Sequence, residues 1–433
     1  MQDRYGNPLS TSSVRAHGLY CEGMDLFLAA QPGGIESLIA ATQEDPGFAI
    51  AHADLARAQQ IMARPKQARA ALAAAREAAA GLGTQEASHV EVMSALIGGQ
   101  SALAYAMIAE HVQAYPRDAM VLSPALGVFG LIGFSGQHGR EAENLAFMQA
   151  QAPHYVGDWW FESQMAFALC EVGQLDRAAS LIDAAFAANP RNANAVHHRA
   201  HVHYELGETE AGCKLLQAWR HSYDRSGLLH CHLAWHDALW NLGLGQFDRV
   251  WEILRADIAP EQTTAPPINV ATDLIALLLR AELAGAHCDP ELWQTAADYV
   301  LAHFSRPGIS FVDLHTAIAV ATTGAQEPLE KLYAVQSGTA ADLVGRVARA
   351  FAAWRDQDWS SVLDYLTPVM AEHERLGGSR AQRDLLELTY SCALAQLDPK
   401  MAQRFLASRR PNINFSASLG AGPIDPIDPL PAP

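Results

Sequence analysis

The chain has 433 residues, 50% of them hydrophobic and 18% charged, with a formal net charge of −17 at pH 7. That length exceeds one ordinary compact domain but suits a single repeat array. The acidic balance argues against nucleic acid and against an anionic membrane surface, both of which need a basic footprint.

The first 15 residues, opening MQDRYGNPLSTSS, are polar and read as an irregular segment without an apolar signal core. From residue 16 to 410 apolar residues recur at helical spacing. Breakers at Pro46, Pro65, Pro116, Pro153, Pro190, Pro290 and Pro307 fall about one helix apart. A small-residue frame with a period near 34 residues starts at Ala49, with Ala56, Ala68 and Ala75 in the small positions. It returns from Gln85 (Gly99, Ala104, Pro116) and is clearest from Trp159, with Ala166, Gly173, Ala178, Ala185 and Pro190. It continues from Ala193 (Ala200, Gly207, Gly212) and Cys231 (Ala238, Gly245, Phe247). Between about 265 and 340 helices continue but the frame drifts, and a weaker copy begins at Leu343. The expectation is an all-α protein, an α-solenoid of tetratricopeptide-like helix-turn-helix repeats forming a rod or closed arc. The tail at 411–433, rich in Pro, Gly and Ser, is expected to be disordered.

Six cysteines, none in a CxxC pair, sit mostly in apolar helical patterns and read as buried thiols of a reducing cytosol. The most apolar stretch, ATDLIALLLRAELAG, carries Asp273, Arg280 and Glu282, so no membrane span is expected. The localisation expected is cytoplasmic.

Two helices carry an unusual load of imidazoles. VHHRAHVHYE (Val196 to Glu205) has four histidines in seven residues, and CHLAWHDALW (Cys231 to Trp240) has two more. In repeats of this class the first helix lines the concave face. His197, His201, Tyr204, His232 and Trp235 then project into one part of the groove, with His236 near its edge. His197 and His201 are four apart, as are His232 and His236, which stacks each pair about 5–6 Å apart on one helical face.

Three chemistries fit that pattern. Paired HxxxH histidines are workable metal ligands, and two pairs can complete a site. The HExxH signature of zinc peptidases is absent, because His198 and Leu233 stand where its glutamate would be. A two-histidine, one-carboxylate set of His197, His201 and Glu205 spreads over two turns, too far to converge alone. Metal-free acid–base chemistry or ligand binding is the second chemistry, since imidazole titrates near neutral pH. The third is structural hydrogen bonding, expected for His198 and His203. A divalent metal is compatible with the spacing but is not the preferred reading.

Weaker signals lie elsewhere. FVDLHTAIAV brings Asp313 and His315 onto a later helix, where solvated polar residues are expected. GGSRAQRDLLEL starts a helix with Ser379 as N-cap. Its Arg383 would clamp the end of the groove or pair with a neighbouring glutamate.

Taken together, several strings resemble the tetratricopeptide repeat protein 38 family, which includes StaR-like bacterial members. They are LSTSS, PGGIESL, AVHHRAHVHYELGE, CHLAWHDALWNLGLGQFDRV, FVDLHTAI and GGSRAQRD, in the same order from about residue 8 to 410. The family pattern carries the imidazoles matching His197, His201, His203, His232 and His236, together with Trp235 and Ala381 to Asp384. It also has an acidic residue directly after the third of these histidines, where this chain has Tyr204 and then Glu205. The resemblance implies a cytosolic helical repeat protein, a fold usually used as a binding scaffold, and implies no particular activity.

The leading expectation is a solenoid that binds a small molecule or short peptide through His197, His201, Tyr204, His232, Trp235 and His236, with Arg383 as an outer charge clamp. The alternative is an enzyme using His197, His201, His232 and His236 for acid–base or metal-assisted chemistry, with Glu205 as a further ligand. A protein–protein adaptor comes third.

Overall fold

Breakers and apolar stripes divide the chain into helical hairpins stacked in sequence. The computed structural model describes residues 1–411, so the tail expected to be disordered falls, from 412 on, outside the described residues. Among the described residues there are twenty-two α-helices, and the one β-type contact is an isolated antiparallel bridge between Gln2 and Pro8. The protein is an all-α helical-repeat solenoid. The hairpin of Trp159–Glu171 and Leu175–Ala188 packs on Ala193–Leu206 and Thr209–Arg220, and that pair on His230–Gly243 and Phe247–Ile253. The stack runs on through Pro267–Leu283 with Pro290–His303 and Ser310–Thr323 with Gln326–Tyr333, where the sequence frame drifts.

The turns use the residues the chain provides. Gly207 ends its helix in the left-handed conformation at φ 73°, which only glycine adopts freely. Pro290 opens its helix directly after the Asp289 cap.

Inner and outer helices differ in composition because they differ in burial. Every residue from His230 to Leu242 is buried, so this inner helix is enclosed all round. The outer helix Leu175–Ala188 buries only Ala178, Ile182 and Ala185, the stripe that meets its neighbours. Gly212 shows why small residues recur at these crossings: a Cβ there would stand 2.2 Å from Trp240 Cζ2. Gly212→Ala is therefore expected to destabilise by about 1–3 kcal/mol despite alanine's better helix propensity. Unchanged or higher stability in urea unfolding would contradict the tight crossing.

The concave side is not an open groove. The last hairpin, Arg380–Leu397 with Pro399–Arg409, folds inward, and its first helix packs on Pro267–Leu283 and Ala193–Leu206. Its cap is as the sequence suggests: Ser379 and Gln382 form a reciprocal capping box. Arg140 donates to the Glu374 and Gly378 carbonyls, and Arg375 Nε donates to Gly136 O at 3.0 Å. From the other end, Leu28 O accepts from Asn194 Nδ2 and Ala29 O from Ala193 N. The N-terminal segment is irregular but packed, with Tyr5 and Leu9 buried and Tyr5 O accepting from Arg117. No described helix is long and apolar enough to cross a membrane.

A buried ionic network pins the first third of the stack. His89 lies 2.9 Å from Asp54 Oδ1 and 3.0 Å from Asp118 Oδ2, and His111 Nε2 lies 3.1 Å from the same Asp118 oxygen. Tyr20 donates to Asp54 at 2.9 Å. Burial alone would push the His89 imidazole down, but Asp118 and Asp54 outweigh it and hold it well above its ordinary value.

Candidate metal centre

Helix Ala193–Leu206 starts at Asn192, whose side chain accepts from the Asn194 amide. It runs beside His230–Gly243 as the next inner helix. The two four-residue histidine pairs therefore face each other. One ring nitrogen from each of His197, His201, His232 and His236 lies within 4.8 Å of the others. The imidazole centroids of His197 and His201 are 4.6 Å apart, those of His201 and His236 4.6 Å, and those of His232 and His236 4.9 Å. All four are buried, and His197 is the most accessible at 8%.

The hydrogen-bond inventory of this cluster is incomplete. His197 Nε2 and His201 Nε2 are 2.9 Å apart. His232 Nδ1 lies 2.9 and 3.0 Å from the two Asp273 oxygens, which fixes Nδ1 as the protonated nitrogen and turns Nε2 to the cluster. His201 Nδ1 and both nitrogens of His236 have no partner. Each such buried polar atom costs about 1–3 kcal/mol if it stays unsatisfied. Burial first, then the neighbouring imidazoles, push His197, His201 and His236 well below the usual histidine range. They are thus neutral, the form that binds metal. Phe167, one helix back, stacks on His198 at 4.5 Å and closes on His201 at 4.8 Å, walling the cluster off.

The donor set is four imidazoles with a carboxylate behind one of them. Imidazole suits zinc, copper, iron and nickel, and a carboxylate on the distal nitrogen is the usual outer support of a metal-bound histidine. Residues present and geometry both fit a first-row divalent ion.

The other sequence candidates separate from this cluster. Trp235 lies against it, stacked on His232 at 5.3 Å and edge-on to His236 at 4.9 Å. Tyr204 and Glu205 sit a turn further along and take no part. Tyr204 donates to Asp384 at 2.9 Å, and Glu205 accepts a two-point ion pair from Arg410 at 2.7 and 2.8 Å. Helical rotation explains this: steps of four residues advance past a full turn, so Glu205 has swung away from the His197 line. Arg383 is not an outer clamp. It is buried, paired with Glu141 and with the Gly378 carbonyl, because the hairpin that carries it is folded into the interior. His198 Nδ1 donates to Ser163 O at 2.8 Å and His203 pairs with Glu208 at 2.7 Å, both structural roles. Asp313 and His315 are buried rather than solvated: His315 binds Phe311 O, and Asp313 accepts from the Gly308 amide.

Sequence reasoning missed Asp273, Arg280, Glu171 and Arg410. Arg280 carries its guanidinium 5.8 Å from the Trp235 ring centroid and donates to Ala381 O. Glu171 accepts from the Arg380 amide, and burial raises it to about 8. Asp273 and Arg280 share one helix seven residues apart, a spacing that could have marked a common face. No model of a known protein family matches the chain.

Proposed function

We propose that the chain is a helical-repeat metalloprotein in which His197, His201, His232 and His236 hold one divalent first-row transition-metal ion. The observation that carries this reading is the convergence of four buried imidazoles, of which His236 has neither nitrogen satisfied. A single ion would take one nitrogen from each of the four rings, one of the two unpartnered on His236 among them, a partner that no side chain nearby supplies. The tetratricopeptide-like repeat, membership of the tetratricopeptide repeat protein 38 family and a cytosolic setting belong to the same reading. Their support is the ordered strings quoted above, two of which supply the four imidazoles. Direct docking of a small molecule or peptide on the histidines, Tyr204 and Trp235 would need these residues to face solvent, and they are 0–9% exposed. A ligand bound through the metal is the form of that expectation the geometry favours.

The test is elemental analysis of untagged protein purified without chelator, beside a His201→Gln/His232→Gln variant. About one ion per chain is expected in the wild type and none in the variant. Wild-type protein that is metal-free and takes up none of the first-row divalent ions on dialysis would overturn the proposal. Asp273→Asn should weaken metal affinity by about 10–100-fold through loss of the outer support, with all four ligands in place. Competition against a chromophoric chelator reads this directly, and unchanged affinity would remove Asp273 from the site.

A further inference from the structure

We infer that the four-histidine centre is open, and that its free coordination positions take a small carboxylate-like anion received by the indole N–H of Trp235 beside the Arg280 guanidinium. The inference rests on the metal reading above and deepens it.

Donor spacing is the first ground. Four nitrogens at 2.0–2.1 Å from one ion in a closed tetrahedron stand about 3.3–3.4 Å apart in every pair. Donors at right angles stand about 2.8–3.0 Å apart, and opposed donors about 4.0–4.2 Å. The His197 and His201 Nε2 atoms are 2.9 Å apart, while the whole set spreads over as much as 4.8 Å. The 2.9 Å pair matches donors at right angles and not a closed tetrahedron, and a right-angled set of four leaves positions on the ion unfilled; the wider separations would close on binding.

Charge is the second ground. The four imidazoles bring no negative charge, and Asp273 behind His232 supplies one against the two of a divalent ion. The Arg280 guanidinium, 5.8 Å from the centroid of the Trp235 ring that packs on His232 and His236, adds a further positive charge beside the cluster. A buried excess of positive charge is costly unless paired, and an anion on the ion pairs it.

Unsatisfied donors are the third ground. Trp235 is fully buried, yet its Nε1 has no acceptor, and Arg280 Nε, also buried, has none. Both belong to side chains in contact with each other, and Trp235 touches two of the proposed ligands. An anion with two acceptor atoms can give one to the metal and one to these donors, which is the geometry of a carboxylate. Enclosure by side chains at most 8% exposed keeps the ligand small, and His197 marks the accessible side.

The experiment is titration of the cobalt(II)-loaded protein with azide, read by visible absorption, followed by displacement with acetate. Trp235→Phe keeps the aromatic packing and removes the N–H. The inference expects saturable azide binding, reversal by acetate, and about 10–100-fold weaker azide binding in Trp235→Phe at the same cobalt stoichiometry. A cobalt spectrum that azide does not change would overturn the open centre and leave the metal reading standing. Failure to bind cobalt would overturn both. Equal azide affinity in wild type and Trp235→Phe, with equal cobalt content, would overturn the assignment of the anion to Trp235.

Discussion

Arg410→Met is expected to lower stability in urea unfolding by about 3–5 kcal/mol, the scale of breaking a buried ion pair from one side. Arg410 is buried near the end of the described chain and bridges two carboxylates from distant helices. It meets Glu205 through both terminal nitrogens and Asp384 at 3.0 Å. Its removal takes the two-point cation away from two buried acids, whose other contacts include the Tyr204 hydroxyl on Asp384 and the more distant Arg380, 3.5 Å from Glu205. The cost is that of stranded charge, so removing the charge should recover it. Arg410→Met with Glu205→Gln and Asp384→Asn is expected to regain most of the loss. Metal content should stay at the wild-type level in both variants, because none of the three residues joins the imidazole cluster. A loss below about 1 kcal/mol would be the behaviour of an exposed pair and would contradict the inward fold of the last hairpin.

His89→Gln should cost a similar 3–5 kcal/mol at pH 7, by leaving Asp54 and Asp118 buried without their cation. The sign of the pH dependence follows from the direction of the shift. The folded His89 is held above its ordinary value of 6.5, so its contribution is fully present below about pH 6.5 and lost as pH rises through the folded value. Asp118 is held below its ordinary 3.8 by His89 and His111, which overcome its burial, so its share is present above that value and lost only as pH falls through the lowered one. The wild-type advantage over His89→Gln should therefore be larger at pH 6 than at pH 10. Imidazole carbon shifts give an independent reading: the resonance absent from the variant should stay in the charged form at pH 8. A resonance that titrates near 6.5 would contradict the network.

The repeat architecture was legible because small residues and breakers mark it locally. Gly207 and Gly212 fall where the frame from Ala193 puts them, and one ends a helix while the other lets Trp240 pass. The histidine cluster was legible for the same reason: four-residue pairs on successive inner helices must face each other. What escaped was whatever depends on contacts without local periodicity. Tyr204 and Asp384 are 180 residues apart and Glu205 and Arg410 are 205, so nothing in the spacing announces that the last hairpin fills the groove. Arg383 was legible as a pairing residue but not as a buried one, since its burial follows from that closure. Asp273 lies where the repeat frame drifts, so no register assigned it to His232.

Tyr204 and Glu205 have other partners in this chain. The phenol donates to Asp384, and Glu205, one residue on, takes the Arg410 pair. A carboxylate reaches one of the imidazoles, His232, from Asp273 on a different helix.

The central claim is four imidazoles on one ion, and X-ray absorption at the K-edge of the native metal tests it most directly. The account predicts a first shell of nitrogen and oxygen donors near 2.0–2.2 Å, outer-shell scattering fitted by four imidazole rings, and no sulfur. A first shell containing sulfur, or one fitted by two or fewer imidazoles, would contradict it.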